Sequence, residues 1–364
     1  MTEFFKKLSR FTLSQADIVD FDKSEIKKIA DKAISDNQNR FVVILFNSSL
    51  LKEFSDYDNS FSVSDCNFKF GEITNGDTFY NSAVEKGSGI ELTIKKNISI
   101  KKEILVLNIL CGCSNQKNRI VFEENSAAEV FFEYISLKDN SILNSVTQIE
   151  LNNNVNAGFH ILEDAEHSNL INRFFYNVNK DCNLNTSTCA FNGNLIQNRS
   201  DINFLNTGST AVSSGLVFAF ENQNFNNLCF VNHKAAYCSL KQDYKTIADA
   251  DGQSEFYGLV KVDHGAIKTD ASQSNNNIML SKNCKIESNP QLEIYADDVK
   301  CNHGSTTGML NADAIYYMQT RGISRKTAET LLIKALTDQS AEMCNNMAYA
   351  QLLKQKIDDK LHRN

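Results

Sequence analysis

The chain has 364 residues, of which 42% are apolar and 22% are charged, and its formal net charge is −7. This composition is typical of a globular protein with a hydrophobic core, and without an excess of Lys and Arg it argues against a nucleic-acid-binding surface. Because most domains contain fewer than about 250 residues, we expect two or three packed units.

The amino-terminal segment MTEFFKKLSRFTLSQADIVDFDK interrupts its apolar residues with charges and lacks the apolar centre of an export signal. No later segment has about 18 consecutive uncharged apolar residues, so no membrane span is predicted. We therefore expect a cytoplasmic protein whose 10 cysteines are reduced. Cys111 and Cys113 have no second pair nearby in the sequence, which is more typical of buried apolar thiols than of a metal site.

Residues 1–88 are predicted to form a small α/β unit. The segment SEIKKIADKAISD (24–36) has apolar residues at helical spacing behind Ser24, a candidate N-cap. The segment RFVVILFN (40–47) is typical of a buried strand.

Residues 89–298 are predicted to be a β-rich body. Short segments such as GIELTIKK, AEVFFEYIS and GLVFAFENQ alternate or are rich in β-branched residues, and they show scarcely any helical period. A sandwich, a barrel or a solenoid of stacked coils would suit such strands. Pro290 is the only proline, so Asn in stretches such as FNGN and ENQNFNN is expected at corners, where its amides can stack in ladders and favour a parallel β-helix. A genome biased toward Asn codons would produce the same abundance.

Residues 299–364 are predicted to be mainly helical. The segment NADAIYYMQTRGISRKTAETLLIKAL contains two helices broken at Arg321 and Gly322, and Ser324 is the expected N-cap of the second. A third helix is expected near residues 340–361, with its apolar side formed by Leu352, Leu353, Ile357 and Leu361. The apolar stripe of the second helix is expected to comprise Ala328, Leu331, Leu332, Ala335 and Leu336.

Several sequence signals of catalysis are missing or incomplete. No GxxxxGK[ST] motif is present, so nucleotide hydrolysis by a P-loop is not expected. The segment GSTTG (304–308) lacks the central serine of a nucleophile elbow and is interpreted as a turn. Adjacent Asp297 and Asp298 would point to opposite faces of a strand and could not act as a catalytic pair. Three histidines that stand alone on strand-like segments are interpreted as core or surface imidazoles: His160, His167 and His264.

The segment VKCNHGSTTG contains a candidate metal half-site. If residues 291–303 form one strand, Cys301 and His303 project from the same face with Cα atoms about 6.5 Å apart. A thiolate and an imidazole suit zinc or an iron–sulfur unit, each of which takes about four donors. The remaining donors would have to come from elsewhere in the fold or from another chain, although C-x-H pairs also occur by chance.

The segment PQLEIYADDVKCNHGSTTGMLNADAIYYMQTRGISRKTAETLLIKAL resembles the signature of the SufD family in the SufB/SufD superfamily of iron–sulfur cluster assembly. FVNHKAAYCSLKQDYKTI and SEFYGLVKV follow the same pattern, so the resemblance covers about residues 195–340. SufB proteins typically have Glu where Gly304 stands, so the resemblance to SufD proteins is favoured over a resemblance to SufB proteins. Asn226 replaces an aspartate that is common ahead of His233, which weakens any proposal that a carboxylate holds this histidine.

The resemblance implies a right-handed parallel β-helix between an N-terminal unit and C-terminal helices, and a scaffold subunit without catalysis of its own. It implies pairing with the paralogue SufB and binding of the ATPase SufC through the helical region, where we expect contacts from Tyr316, Tyr317, Arg321 and Ile323. His303 would join a SufB cysteine in holding a nascent, transient iron–sulfur cluster, and the role of Cys301 is less defined. No permanently bound cofactor is expected.

Three alternatives stay open. The chain could be a SufB-like paralogue that forms a homodimeric scaffold, or an adaptor without metal that would tolerate His303→Ala. It could also be a β-helix enzyme acting on polysaccharide in the manner of pectate lyases. Such enzymes need a cluster of carboxylates or Arg in a groove and normally an export signal, and neither is evident in the sequence.

Overall fold

Successive strands of the chain enter two different sheets, so that each pair of strands makes one coil of a parallel β-solenoid. A computed structural model describes residues 23–70 and 78–362, and the prediction about an export signal lies largely outside these ranges. Sheet A consists of β1 (Arg40–Phe46), β2 (Ser49–Leu50), β5 (Glu103–Leu110), β7 (Ala127–Ser136), β9 (Asn156–Asp164), β11 (Asn183–Asn192), β13 (Thr210–Ala219), β15 (Ser239–Ala248), β17 (Asp270–Met279) and β19 (Lys300–Met309). Sheet B consists of β3 (Phe61–Asp65), β4 (Ile90–Ile94), β6 (Cys113–Phe122), β8 (Ile142–Leu151), β10 (Asn169–Val178), β12 (Leu195–Phe204), β14 (Asn224–His233), β16 (Gln253–Val262) and β18 (Lys285–Ile294).

The pairing of these strands confirms the predicted solenoid and excludes a sandwich or a barrel. All pairings among β4–β19, and that of β1 with β5, are parallel. In the described residues antiparallel pairing is confined to the N-terminal end, between β1 and β2, between β3 and β4, and at an isolated bridge between Val42 and Asp56. Sheet order follows chain order, so each coil contacts the coils before and after it.

Five α-helices flank the solenoid in the described residues. They are α1 (Lys23–Asp36), α2 (Thr78–Lys86), α3 (Ala312–Thr320), α4 (Arg325–Met343) and α5 (Met347–His362). Helix α1 begins one residue before the expected N-cap Ser24, a shift within the usual uncertainty of helix ends. The predicted break at Gly322 (φ +83°) and the N-cap Ser324, which accepts a hydrogen bond from the Thr327 backbone N–H, are both confirmed.

The last helical break lies later than predicted. Helix α4 continues to Met343 and α5 begins only at Met347, because Asn345 adopts a left-handed backbone (φ 49°). The predicted stripe of α4 is also partly wrong, since Leu331 and Ala335 are exposed. The buried face is rotated toward the β-body and comprises Ala328, Ile333, Thr337, Ser340 and Ala341.

Alternation along each strand separates an inner from an outer face of the solenoid. In β9, Ala157, Phe159 and Ile161 belong to the enclosed interior core. Leu162 on the same strand belongs to a second cluster, in which residues of α1, α4 and α5 cover the outer face of sheet A. Sheet A is therefore buried on both faces along much of its length, which accounts for the near-continuous apolar runs of strands such as β5.

Asparagine makes many of the corners, as predicted, but the expected stretches lie there only in part: in ENQNFNN, Asn222 is at a corner (φ 56°), whereas Asn224, Asn226 and Asn227 lie in β14. Asn97, Asn125 and Asn154 occupy the left-handed region with φ between 57° and 61°. Asn125 Nδ2 donates to Asn97 Oδ1 at 2.8 Å, and Asn154 Nδ2 donates to Asn125 Oδ1 at 3.1 Å. These partners lie 28 and 29 residues apart, one coil of the solenoid, so the corner amides form a ladder.

Candidate metal half-site

The candidate half-site lies on the last strand of sheet A. The expected single strand over residues 291–303 is wrong, because β18 ends at Ile294 and β19 begins at Lys300. The segment between them is a corner of the solenoid, where Asp298 forms an ion pair with Lys268 at 2.6 Å. Strand β19 lies inside the region 299–364 that we expected to be mainly helical, but its pairing with β17 makes it part of the β-body.

Cys301 and His303 share the inner face of β19. Cys301 is the register partner of Ala271, an interior residue of β17, and it packs against the interior core itself. Because side chains alternate along a strand, His303 projects from the same face. The inner orientation of β19 is also shown by Ser305, whose hydroxyl lies 2.7 Å from that of Ser288 on the facing strand β18.

The two candidate ligands differ in exposure. Cys301 is half-buried, and burial raises the pKa of its thiol. His303 is exposed and makes no hydrogen bond within the described part of the chain. The imidazole is therefore freely available to a ligand, whereas the thiol holds its proton until a metal displaces it.

The last coil is open. β18 and β19 are the terminal strands of their sheets, and each pairs on one side only. The C-terminal helices pack along the outer face of sheet A, as Ile333, Tyr349 and Ile357 show, and leave the interior side chains of the last coil exposed. Over residues 23–70 and 78–362, no group of three or more His, Cys, Asp or Glu side chains is arranged to hold a metal ion.

The segment GSTTG (304–308) is part of β19, so its interpretation as a turn is wrong. These five residues pair in register with Ser274–Ile278 of β17. A Cβ atom on Gly304 or Gly308 would meet nothing within 4 Å, because both glycines face the solvent. Neither glycine is therefore required sterically.

The expected partner-binding residues lie on α3 and in the turn that follows it. Tyr316 and Tyr317 are 69% and 59% exposed, so neither packs onto the β-body. Arg321 is also exposed, and its Nη2 donates to the Tyr317 hydroxyl at 2.9 Å. Ile323 is half-buried. The structure thus brings an exposed aromatic and cationic surface together immediately after the half-site strand.

The remaining histidines have structural environments. His160 is buried between the rings of Phe131 and Tyr349, each centred 4.7 Å away, and its Nε2 lies 2.8 Å from Glu129 Oε2. His167 lies in a corner with φ 53°, and His264 lies in a turn, so the expectation that both stand on strand-like segments is wrong.

His233 lies on the inner face of β14, and burial lowers its pKa to about 4. Asn226 lies an odd number of positions away on the same strand, so the two side chains project from opposite faces of the sheet. A carboxylate at position 226 could not have held His233. The structure thus agrees with the weakened case for a carboxylate at His233, but the reason is strand alternation and not the replacement by Asn226.

A mixed-charge cleft of about 830 Å³ was not predicted from the sequence. Arg40 forms ion pairs with Glu103 and Glu133, and Lys356 of α5 forms one with Asp164. The cleft joins the N-terminal unit, the β-body and α5, which lie far apart in the chain, so no local motif signals it. Three of the four carboxylates that line it in the described ranges, those of Glu103, Glu133 and Asp164, are engaged in these ion pairs, which tie the three parts together.

Gln273 and Asn277 on β17 were also not identified from the sequence as neighbours of the half-site strand. Each lies one strand inward from β19 and is buried, and Asn277 Nδ2 donates to Thr307 Oγ1 at 3.2 Å. Gln273 is the register partner of His303. Only the register identifies these neighbours, because they lie 30 positions from their partners in the sequence.

The chain is similar to proteins of iron–sulfur cluster assembly. The family described as SUF system FeS cluster assembly, SufBD core domain, matches residues 108–336. The iron–sulfur cluster assembly protein SufD of Escherichia coli is 26% identical over 282 residues, which cover 74% of this chain and 66% of the relative. The protein of the same name in Plasmodium berghei is 23% identical over 299 residues, covering 80% of this chain and 22% of that protein.

A shorter and closer match comes from Synechocystis. An iron–sulfur cluster assembly SufBD family protein of that organism is 43% identical over 94 residues, which cover 26% of this chain and 21% of the relative. The chain spans less than two thirds of the length of each of these three relatives.

Proposed function

Because the chain belongs to the SufBD core family of iron–sulfur cluster assembly proteins, we propose that it is a SufD-like scaffold subunit whose half-site is completed by a partner chain. The observation that carries this proposal is the position of His303, which is exposed on the inner face of a strand with one unpaired edge, two residues from Cys301. Two donors are about half of what a cluster iron or a zinc ion takes. The missing donors would come from the docked chain.

The open coil supports pairing with a SufB-like subunit. The free edges of β18 and β19 present backbone N–H and C=O groups to which strands of another chain can add. Pro290 lies in β18, and proline is tolerated within a sheet mainly on an edge strand.

None of the helices in the described ranges combines the length and apolar character that a bilayer-spanning helix requires.

The nascent cluster is the cargo of this site. The His303 imidazole would bind iron first because it is exposed, and Cys301 would follow once iron displaces the proton of its half-buried thiol. A site divided between two chains releases its cargo when the chains move apart, which suits an assembly scaffold. The chain itself then supplies donors and position, and no catalytic step.

The surface on α3 supports binding of the ATPase SufC. Exposed Tyr and Arg side chains are typical of residues that anchor an interface. Helix α3 begins at Ala312, three residues after β19 ends at Met309, so a force on this helix is transmitted directly to the strand that carries His303. ATP-driven movement of SufC would thereby shift the half-site relative to the partner.

The half-site is tested by co-purifying the chain with SufB and SufC and reconstituting the complex anaerobically with iron and sulfide. His303→Ala should leave the complex intact and lower cluster content at least tenfold. Asn302→Ala is the matched control, since Asn302 is exposed on the same strand but faces outward. A His303→Ala complex with undiminished cluster, or with wild-type function in a strain lacking this subunit, would contradict the proposal.

The SufC surface is tested separately by pulldown. Replacing Tyr317 and Ile323 by Asp should abolish capture of SufC while pairing with SufB persists. Tyr237→Asp is a suitable control, because Tyr237 is 62% exposed at a corner of the solenoid and lies outside α3 and the turn that follows it. Undiminished capture of SufC by the double variant would count against the assignment of this surface.

A further inference from the structure

Gln273 lies directly beside the candidate ligand His303. The two residues are register partners on the adjacent parallel strands β17 and β19. Register partners of parallel strands project from the same face, so both side chains point into the interior, and the strands are about 4.8 Å apart. The Gln273 amide is thus the neighbour of His303 in the register, on the closed side of the last coil.

The orientation of this amide is fixed on its other side. Gln273 is 2% exposed, and its Nε2 donates to Gln242 Oε1 at 2.7 Å, one coil further inward. The side chain reaches across to sheet B, where a Cβ atom on Gly258 would come within 2.0 Å of Gln273 Nε2. Glycine at this position leaves the space that the amide fills.

This arrangement leaves Gln242 Nε2 and Gln273 Oε1 without hydrogen-bond partners among the described residues. Gln273 Oε1 is buried and accepts no hydrogen bond from the described residues. Buried polar atoms are nearly always paired, because an unpaired one loses its hydration without compensation. Since Nε2 is committed to Gln242, Oε1 is the end of the amide that is available to a new donor.

We propose that Gln273 Oε1 accepts the N–H of the His303 imidazole and thereby fixes the nitrogen that His303 presents to the cargo, an inference that rests on the proposed ligand role of His303. Ligating histidines commonly donate their second ring N–H to an acceptor, which sets the tautomer and the ring orientation. Gln273 is then a positioning residue that contacts no cluster atom. His303 is exposed and makes no hydrogen bond to the described residues, so a rotation of its side chain brings the imidazole N–H to Gln273 Oε1 before the partner docks.

The inference is tested with Gln273→Met, which keeps the length of the side chain and removes the amide acceptor, and with Gln273→Glu, which restores an acceptor. The first readout is the iron concentration needed for half-maximal cluster formation in the reconstituted complex with SufB and SufC. We expect Gln273→Met to raise it about 10-fold to 100-fold, as loss of such outer partners does elsewhere, and Gln273→Glu to return it toward the wild-type value.

The second readout reports the imidazole directly and requires no cluster. Nitrogen NMR of the full chain labelled with [15N]histidine, at one fixed pH, should show a single dominant neutral tautomer for His303, assigned by loss of its signals in His303→Ala. Gln273→Met should shift this ratio toward that of free histidine. Gln116→Met is the matched control, since Gln116 is also a buried amide of the interior but lies in an N-terminal coil.

The outcomes separate this inference from the proposed function. If His303→Ala abolishes the cluster and Gln273→Met changes neither the tautomer ratio nor the iron dependence, Gln273 has no positioning role. If Gln116→Met has the same effects as Gln273→Met, the cause is general loosening of the interior, and the inference is again overturned. If His303→Ala retains the cluster, the proposed function itself fails, whatever Gln273 does.

Discussion

One register column on the inner face of sheet A changes character between the N-terminal coils and the open end. It begins with Phe41 and Ile104 and ends with Gln273 and His303. The full column is Phe41, Ile104, Val130, Phe159, Thr186, Ser213, Gln242, Gln273 and His303. In the first coils, up to Phe159, the column contributes apolar packing, and from Thr186 to Gln273 it is polar although it is still buried. At His303, where the solenoid ends, the same backbone geometry presents a ligating group to whatever docks there.

The largest difference is expected from alanine substitutions at two positions of this column. Phe159 is fully buried, with the rings of Phe122 and Tyr176 5.8 Å and 5.4 Å away, so Phe159→Ala should lower the free energy of unfolding by about 3–5 kcal/mol. His303→Ala removes an exposed side chain and should change it by less than about 0.5 kcal/mol. Urea unfolding of the isolated chain measures both values. Equal losses would show that the last coil is packed like the others.

A pH dependence is expected from a buried carboxyl group of the closed interior. Burial raises the pKa of Glu163, whose carboxylate accepts hydrogen bonds from Asn172 and Asn198, from 4.5 to about 7. The folded state therefore keeps this proton to a higher pH than the unfolded state does. The resulting contribution to stability is fully present below pH 4.5 and is lost as the pH rises through about 7.

Replacing this carboxyl by an amide should remove that loss. Between pH 4.5 and 8 the Glu163 contribution to the free energy of unfolding should fall by on the order of 3 kcal/mol, and Glu163→Gln should flatten this part of the stability profile. Denaturant unfolding of both proteins at several pH values provides the comparison. An unchanged profile in Glu163→Gln would mean that another group dominates the titration.

Corner residues should give a smaller effect. Asn125→Ala removes two ladder hydrogen bonds and places a Cβ-bearing residue without a local amide at φ 57°, so a loss of about 1–2 kcal/mol is expected. Asn125→Gly removes the same bonds but accepts the left-handed backbone, and should cost less. Thermal unfolding of the two variants separates the contribution of the ladder hydrogen bonds from the cost of the left-handed backbone at residue 125. A greater loss for the glycine variant would contradict this order.

The smallest effect is expected at the open edge. Thr306 is exposed on the outer face of β19, and its hydroxyl donates to Asn276 Oδ1 at 2.8 Å. Thr306→Ala should change the free energy of unfolding by less than about 0.5 kcal/mol, because water replaces an exposed hydrogen bond at little cost. The same thermal experiment measures this change. A loss of stability comparable to that of Asn125→Ala would indicate that the hydrogen bond of Thr306 contributes more to stability than its exposure implies.

Local pattern was sufficient wherever a short stretch of sequence fixes its own geometry. The helix break at Gly322, the cap at Ser324 and the turns at Asn125 and Asn154 depend on the backbone preferences of single residues. The same kind of reasoning failed for α4, where Leu331 has a helical spacing that suits a core but faces solvent. Which face of a helix is buried depends on the surface it meets, and that surface is formed by strands far away in the sequence.

The sequence by itself determined the repeated β character of the chain, the Asn-rich corners, the helical end and a C-x-H pair suited to a soft metal, because each follows from neighbouring residues. Only the tertiary structure decided that Cys301 and His303 face inward on an edge strand, and that Gln273 lies beside the imidazole. The physical reason is the register between coils: it brings together residues 30 positions apart, and a shift of one residue would turn every one of these side chains to the opposite face.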